Sequence, residues 1–253
     1  MSDRTEDTRG APVGAERLAS ASSPSRKPIR EDGEAITTLE EAVSLYFSKP
    51  GPRRIAAYAA AAWGARIALG RPRASDVATC AAVAAWWPLQ EWLAHKYLLH
   101  LEPREGRIDP LFAKRHRAHH VEPREIDLTL LPIEVLDAAM PANVALWLLA
   151  FGPRRTALTG IAAYATMALV YEWTHFIVHT GYKPKSELAK KIRRYHRLHH
   201  YRNENNWLGF TLPWVDEVLG TAPDPRSVPF SKTARDLFGL RAKAAGSSED
   251  SGS

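Results

Sequence analysis

The sequence predicts an all-α integral membrane protein of four long helices, arranged as two hairpins, with a helical cap on the cytoplasmic side. The helices are predicted from four apolar stretches, which occupy residues 55–69, 77–93, 135–151 and 156–178. A helix needs about 20 mostly apolar residues to cross a bilayer, and only the last stretch reaches that length easily. Four buried helices of a soluble bundle are the alternative interpretation of the hydropathy alone.

Charge placement favours the membrane interpretation. Lysine and arginine are dense before the first stretch, after the second and after the fourth, whereas the opposite side carries four arginines in two short loops. Positively charged flanking segments stay in the cytoplasm as a rule. This bias predicts a multi-pass protein with both termini and all ten histidines on the cytoplasmic side.

Polar composition sets the limits of the folded part. Residues 1–36 contain Ser, Pro, Gly and mixed charge with few aliphatic side chains, and residues 241–253 have the same character. Such segments bury too little apolar surface to offset the entropy of ordering. We therefore expect disordered tails at 1–36 and 241–253 on either side of one membrane domain at 37–240.

The composition excludes several classes of site. The single cysteine, Cys80, cannot build a disulfide framework or a cysteine-ligated zinc finger. The sequence contains no HExxH helix, no glycine-rich phosphate loop and no Gly-x-Ser-x-Gly elbow. The net charge of +6 would suit phosphate groups, and beside membrane helices we expect lipid headgroups and no nucleic acid as the partner.

The chain repeats itself with a period of about 80 residues. One copy covers about residues 55–125 and the other about 135–205, and each contains an apolar hairpin, a Glu-Trp pair and five histidines. The motif HRAHH of the first copy matches HRLHH of the second. Two such halves would enclose one site near a pseudo-twofold axis.

The spacing of the histidines predicts a metal site. Residues three and four apart share one face of a helix, which groups the three histidines of HRAHH and the three of HRLHH. His95 and His100 are five apart and need a kink or a helix end between them. Crowded imidazoles repel one another if protonated and lack partners if neutral, and a bound metal removes both costs. A zinc ion needs only four ligands, so this many imidazoles indicate two metal ions.

The motifs HKYLLH, HRAHH, HFIVH and HRLHH, followed by NWLGFTLPWVDEVLGT, resemble the membrane fatty-acid hydroxylase/sterol desaturase superfamily over residues 77–221. The resemblance implies a helical membrane protein with a histidine-ligated pair of metal ions, taken to be two iron ions, with zinc as a candidate in isolated protein. It also implies ten metal ligands: His95, His100, His116, His119, His120, His175, His179, His196, His199 and His200. Extra residues between Asn206 and Gly209 and between Trp214 and Asp216 depart from the usual closing signature and leave the subfamily open.

Four further residues are expected to support the ligands. Glu91 and Glu172 lie three or four residues before a histidine, and we expect each to accept an imidazole N–H and fix its orientation. Salt bridges to the abundant Arg and Lys are the alternative role for these two glutamates. Asn206 and Asp216 match the closing signature of the family that the chain resembles.

The resemblance implies an enzyme that uses O₂ and two electrons to hydroxylate an unactivated C–H bond of a fatty-acyl, sterol-like or carotenoid substrate. Desaturation on the same site is the nearest alternative. A di-zinc membrane hydrolase and a non-catalytic metal-handling membrane protein are the others. No histidine precedes His95 to ligate a fused haem, so the electrons are expected from a separate cytochrome b5-like or ferredoxin-like donor.

Overall fold

The computed structural model describes residues 32–152 and 154–237, and within these residues the secondary structure is helical, with no strand. A π-helical turn at His95–Leu99 directly extends the third helix. The helices are α1 (Leu39–Ser48), α2 (Pro50–Ala68), α3 (Ala74–Ala94), α4 (Leu111–Val121), α5 (Ile126–Thr129), α6 (Ile133–Phe151), α7 (Arg155–Val178), α8 (Glu187–Tyr201), α9 (Trp214–Val218) and α10 (Lys232–Leu237).

The four predicted apolar stretches are all helical and correspond to α2, α3, α6 and α7. Each helix begins slightly before its apolar stretch because polar residues or proline start it. Pro50 opens α2 at a position where its missing N–H is not needed. At α3, the Asp76 carboxylate accepts the backbone N–H of Arg73 at 2.7 Å and satisfies one of the free donors of the first turn.

Helix α7 lies at the centre of the bundle, with α2, α3 and α6 packed against it. Its first half buries small side chains such as Ala157 and Ala162, which let neighbouring helices approach closely. A Cβ atom at Gly160 would lie 2.2 Å from the Trp147 ring of α6, so only glycine permits this contact. The predicted hairpins are therefore not two self-contained pairs, because α2 and α3 pack mainly on α7.

A buried ion pair joins α2, α3 and α7 at the end of the bundle remote from the histidines. The Arg66 Nε atom donates to Asp76 Oδ1 at 2.8 Å and to Thr159 Oγ1 at 3.1 Å. All three side chains are buried. A buried charge needs such partners, so this network fixes the three helices relative to one another.

One segment within the described residues is long and apolar enough to cross a membrane. It is Ile126–Phe151, which includes α5 and α6. Its mean hydropathy is 1.4, and only 11% of its apolar window is buried within the protein. The sequence indicated residues 156–178 as the clearest span, and that expectation is wrong by this criterion. The reason is that α7 uses Ala, Gly, Thr and Tyr for close packing, and these are less apolar than the Leu and Val of α6.

The predicted N-terminal boundary at residue 36 is also wrong. Gly33 is buried, its carbonyl accepts the N–H of Gly181 at 3.0 Å, and Asp32 forms an ion pair with Arg124. A Cβ at Gly33 would lie 2.3 Å from the His179 carbonyl oxygen, so close docking of this stretch requires a glycine there. Ile36 also packs against the hydrophobic core. The rest of the expected tails, 1–31 and 241–253, lies outside the described residues.

Candidate metal centre

The π-helical turn brings His95 and His100 to the same site. A π turn closes i to i+5, whereas an α-helix would place residues five apart on different faces. The helical geometry ends at His100, where φ is −90° and ψ is 14°. The two imidazole rings lie 5.0 Å apart, centroid to centroid. The predicted interruption between these histidines is confirmed.

Helices α4 and α8 supply the two HRxHH motifs, and each helix sends its histidines in two directions. Successive helical residues project about 100° apart, so His119 and His120 leave α4 on different sides. His116, one turn before His120, points the same way as His120. The same division separates His199 of α8 from His196 and His200.

The ten histidines form two groups of five. In each group the ligand nitrogens all lie within 4.8 Å of one another. The first cluster holds His95, His100, His116, His120 and His199, and the second cluster holds His119, His175, His179, His196 and His200.

Each cluster takes four histidines from one sequence copy and the fifth from the other. His199 of the second copy completes the first cluster, and His119 of the first copy completes the second cluster. The matching residues His120 and His200 stack between the clusters, with ring centroids 4.2 Å apart and planes 21° apart. The two halves of the chain are thus interlocked at the site.

The imidazoles of α4 and α8 are neutral at pH 7. Burial is the main cause, and it lowers their pKa values well below the usual value, with further lowering from the neighbouring histidines. Neutral imidazole is the form that binds metal ions. The protein therefore holds these side chains ready for ligation without a proton to displace.

Backbone carbonyls hold the ring proton of three histidines on Nδ1. The Nδ1 atoms of His95, His175 and His199 lie 2.6, 2.7 and 2.9 Å from carbonyl oxygens of Leu208, Thr129 and Asn206 respectively. A carbonyl oxygen can only accept, so each Nδ1 donates and each Nε2 carries a lone pair. These lone pairs face the interior of the clusters.

The donor atoms fit metal ions better than they fit one another. The Nε2 atom of His116 lies 3.0 Å from that of His95, 3.2 Å from that of His100 and 3.1 Å from that of His120. A single N–H on His116 cannot bond to all three neighbouring nitrogens. In the second cluster, His175 Nε2 is buried and has no hydrogen-bond partner among the described residues. A cation in each cluster would satisfy these lone pairs, and imidazole suits Fe, Zn, Cu and Ni. The residues present therefore fit two metal ions.

Glu91 holds the segment that supports His95, and does not contact an imidazole. Its carboxylate accepts the backbone N–H groups of Phe210 at 2.7 Å and Thr211 at 2.9 Å, and also the Thr211 hydroxyl. The Leu208 carbonyl that binds His95 belongs to the same segment. The expectation that Glu91 accepts an imidazole N–H is wrong, because backbone amides and a hydroxyl take up the carboxylate instead.

Glu172 repeats this arrangement in the other half of the chain. It accepts the backbone N–H of Leu131 at 3.0 Å and the hydroxyl of Tyr46 at 3.2 Å. Two residues before Leu131, the Thr129 carbonyl accepts from His175. The expected direct contact with an imidazole is wrong here too, as is the alternative of a salt bridge, since a backbone amide and a phenol satisfy the carboxylate.

Asn206 and Asp216 support two different histidines, His199 and His95 respectively. Asn206 contributes its backbone carbonyl to His199. The Asp216 carboxylate accepts the N–H groups of Leu208 at 2.9 Å and Gly209 at 2.7 Å. Gly209 has no space for a side chain, since a Cβ there would lie 2.5 Å from a Val215 methyl group. The closing signature is thus a scaffold for carbonyls that orient imidazoles.

Phe210 is a site residue that the sequence reasoning missed. Its ring contacts His95 of the first cluster and His175 and His196 of the second, at centroid distances of 5.5, 5.1 and 5.4 Å. The Tyr171 ring also packs against Phe210, with centroids 4.8 Å apart. Its place directly after Gly209 in the matched signature was the available signal.

Two openings lead toward the clusters. A cavity of about 460 Å³ reaches His100 and His120 of the first cluster, with mixed charge in its lining. A larger groove of about 1350 Å³ runs along α8 over the second cluster, and eight lysine and arginine side chains line it. Six of them lie close together in sequence and define this basic groove: Lys183, Lys190, Arg193, Arg194, Arg197 and Arg202.

The chain matches the family model described as fatty acid hydroxylase over residues 80–221, more than half of its length. It is 28% identical over 138 residues to dihydroceramide fatty acyl 2-hydroxylase FAH2 of Arabidopsis thaliana, which covers 54% of this chain and 57% of that protein. It is 29% identical over 149 residues to ceramide very long chain fatty acid hydroxylase SCS7 of Saccharomyces cerevisiae, covering 58% and 38%. The match therefore covers little more than half of the first relative and well under half of the second.

A solved structure described as full-length Scs7p, in which only the hydroxylase domain is visible, has a similar fold. The TM-score is 0.55 at 21% identity, and the similarity covers 72% of this chain and 68% of that one. All ten clustered histidines lie inside the region matched by the family model. The chain is therefore a member of the fatty acid hydroxylase family, within the membrane fatty acid hydroxylase/sterol desaturase superfamily.

Proposed function

We propose that this protein is a membrane-bound oxidoreductase that hydroxylates the fatty-acyl chain of a lipid. The observation that carries the proposal is the pair of five-histidine clusters, which contain only imidazole nitrogen donors. Family membership supports the reaction class, and the name of the relative from Arabidopsis thaliana, dihydroceramide fatty acyl 2-hydroxylase FAH2, favours carbon 2 as the position.

The reaction converts R–H, O₂, two electrons and two protons into R–OH and water. Two iron ions, one in each cluster, would supply the oxidising chemistry that breaks the C–H bond. The protein holds the Nε2 lone pairs inward through the carbonyls of Leu208, Thr129 and Asn206. Phe210 covers imidazoles of both clusters with an apolar ring and limits access of water to them.

The cavity beside His100 and His120 is our candidate for substrate access. Its volume of about 460 Å³ lies within the range of ligand pockets. Val121 and Leu237 give it apolar surface, while Glu204 and Asn205 offer hydrogen-bonding groups for a polar headgroup. A fatty-acyl chain is favoured over a sterol-like or carotenoid substrate by the names of the relatives alone.

We propose that α2, α3, α6 and α7 cross the membrane as two hairpins, with the clusters and both termini on the cytoplasmic side. Large apolar side chains are exposed on all four helices. Ile67, Val77 and Leu149 are 67%, 67% and 86% exposed, and Val170 of α7 is 42% exposed. An exposed apolar surface of this kind suits contact with lipid. Lysine and arginine concentrate at the histidine end, as the positive-inside rule requires.

Element-resolved metal counting on protein extracted from iron-supplied cells tests the metal assignment. We expect about two iron ions per chain, since the two clusters offer two complete sets of donors. Tightly held zinc, after a check that zinc did not replace iron during purification, would favour the hydrolase. Substoichiometric, exchangeable metal would favour a metal-handling protein.

The hydrolase alternative has less support from the site. Metal-dependent hydrolysis commonly uses a carboxylate as base or ligand. Among the described residues, neither cluster includes a carboxylate, and the nearby Glu91 and Glu172 are bound to backbone amides. Desaturation would use the same residues and is separated from hydroxylation only by the product.

A further inference from the structure

The basic groove is an exposed surface with an excess of positive charge. Eight cationic side chains line it. Four of them pair with carboxylates: Arg124 with Asp32, Lys190 with Glu187, Arg197 with Glu34 and Arg226 with Asp224. The excess therefore comes from the other four, which are Lys183, Arg193, Arg194 and Arg202. Lys183 and Arg194 are exposed, and among the described residues neither has an ion-pair partner. Such a surface attracts an anionic partner.

The floor of the groove lies against the second cluster. A small space between them is lined by Arg197 and Tyr201, which also line the groove, and by His196 and His200. The rings of Tyr201 and His200 have centroids 6.3 Å apart, and the Arg197 guanidinium lies 5.5 Å from the Tyr201 ring. Only one layer of side chains therefore separates the groove from a metal ligand.

We propose that the basic groove docks an acidic electron-carrier protein, which delivers electrons to the second cluster past Tyr201 and His200. The proposal rests on the proposed function, which consumes two electrons per product. Each encounter oxidises one reduced carrier by one electron, so two encounters supply one turnover.

The other opening suits such a carrier less well. Its lining includes the carboxylates of Glu102, Glu204 and Asp236, which would repel an acidic protein. An anionic membrane surface is the competing partner for the basic groove. The volume of the groove, about 1350 Å³, and its position over His196 and His200 favour a protein over a membrane surface, because an electron carrier must come close to the metal site.

Direct binding tests the proposal on full-length, metal-loaded protein in discs of zwitterionic lipid. The probe is the soluble domain of an acidic cytochrome b5, and the readout is its Kd at low and at high salt. The variant K183E/R194E reverses two exposed charges of the groove, and R104E/R107E reverses two exposed charges elsewhere. Because two attractive contacts become repulsive, we expect Kd to rise by about tenfold or more in the groove variant only. Metal content and helical circular dichroism verify that both variants are folded.

Equal affinity of the groove variant and the unchanged protein would overturn the proposal, and so would an equal loss in the control variant. Groove-dependent binding to vesicles with anionic lipid, without binding to cytochrome b5, would assign the groove to the membrane instead. The binding assay does not depend on catalysis. Docking without lipid hydroxylation would therefore contradict the proposed function alone, and hydroxylation driven by a chemical reductant without docking would contradict this proposal alone.

Discussion

Adjacent histidines belong to different clusters in this protein. His119 and His120 are neighbours in sequence, yet their side chains belong to the second and the first cluster respectively. The reason is the rotation of about 100° per residue along α4. Counting histidines in the HRxHH motifs is therefore not enough to assign them to a metal ion.

This division predicts different metal losses for two variants that each lack two histidines. H119A/H200A removes two ligands from the second cluster and should leave about one ion per chain, held by the intact first cluster. H119A/H120A removes one ligand from each cluster and should weaken both positions. Element analysis after a brief chelator challenge distinguishes them, and identical losses in the two variants would show that the clusters are wrongly assigned.

Glu91 acts on His95 through the backbone, so its neutral analogue should loosen the metal without removing a ligand. In E91Q a carboxylate that accepts three hydrogen bonds becomes an amide with one acceptor oxygen. We expect metal affinity to fall by about 10- to 100-fold, as for other residues that orient ligands. The rate of metal loss to a chelator measures this effect. E105Q, at an exposed loop residue, is the matched control and should behave as the unchanged protein.

The clustering of the ten histidines could be predicted from the sequence, whereas the groups that orient them could not. Histidine is a rare side chain with a specific chemistry, and its spacing of three, four and five residues has a geometric meaning. Every residue carries a backbone carbonyl, so nothing in the sequence marks those of Thr129 and Leu208 as imidazole acceptors. The error on Glu91 and Glu172 has the same origin, because their partners are backbone amides.

At the scale of elements, the buried Arg66–Asp76 pair is the clearest test of the helix arrangement. In D76A the Arg66 guanidinium loses its counter-charge while it remains buried, which typically costs about 3–5 kcal/mol of unfolding free energy. R66M/D76L removes both charges, so its unfolding free energy should fall much less than that of D76A. Thermal unfolding in detergent measures the difference.

The exposed pair of Arg54 and Asp137 provides the comparison, since its side chains are 49% and 60% exposed. D137A should cost about 0–1 kcal/mol because water already screens both charges. If D76A were as mild as D137A, the network would not fix α2, α3 and α7.

The helices themselves could be predicted from apolar runs, but their packing could not. The Ala-rich sequences of α2, α3 and α7 have small apolar residues on several faces, so no face is marked as the inner one. The central position of α7 follows from particular contacts, such as Gly160 against Trp147. The docking of residues 32–36 through Gly33 could not be predicted either, because a glycine contact leaves no apolar pattern in the sequence.

At the scale of the whole molecule, we expect metal binding and folding to be coupled. Each cluster draws ligands from both halves of the chain, so a bound ion would cross-link them. Free metal at a thousandfold above its Kd stabilises a protein by about 4 kcal/mol, or about 10 °C in Tm for a domain of this size. Chelation should therefore lower Tm by about this amount, and iron should restore it. In H119A/H120A the chelator should change Tm little, and a loss as large as in the unchanged protein would contradict the coupling.

The central claim is that the histidine clusters hydroxylate a fatty-acyl chain with oxygen from O₂. The most direct measurement is mass spectrometry of lipid fatty acids from cells that express the protein under ¹⁸O₂, beside cells that express H119A/H120A. We expect 2-hydroxy fatty acids that carry one ¹⁸O atom and disappear in the variant, because both clusters are impaired. If the product carried oxygen from water, or if the variant formed it equally well, the claim would be contradicted.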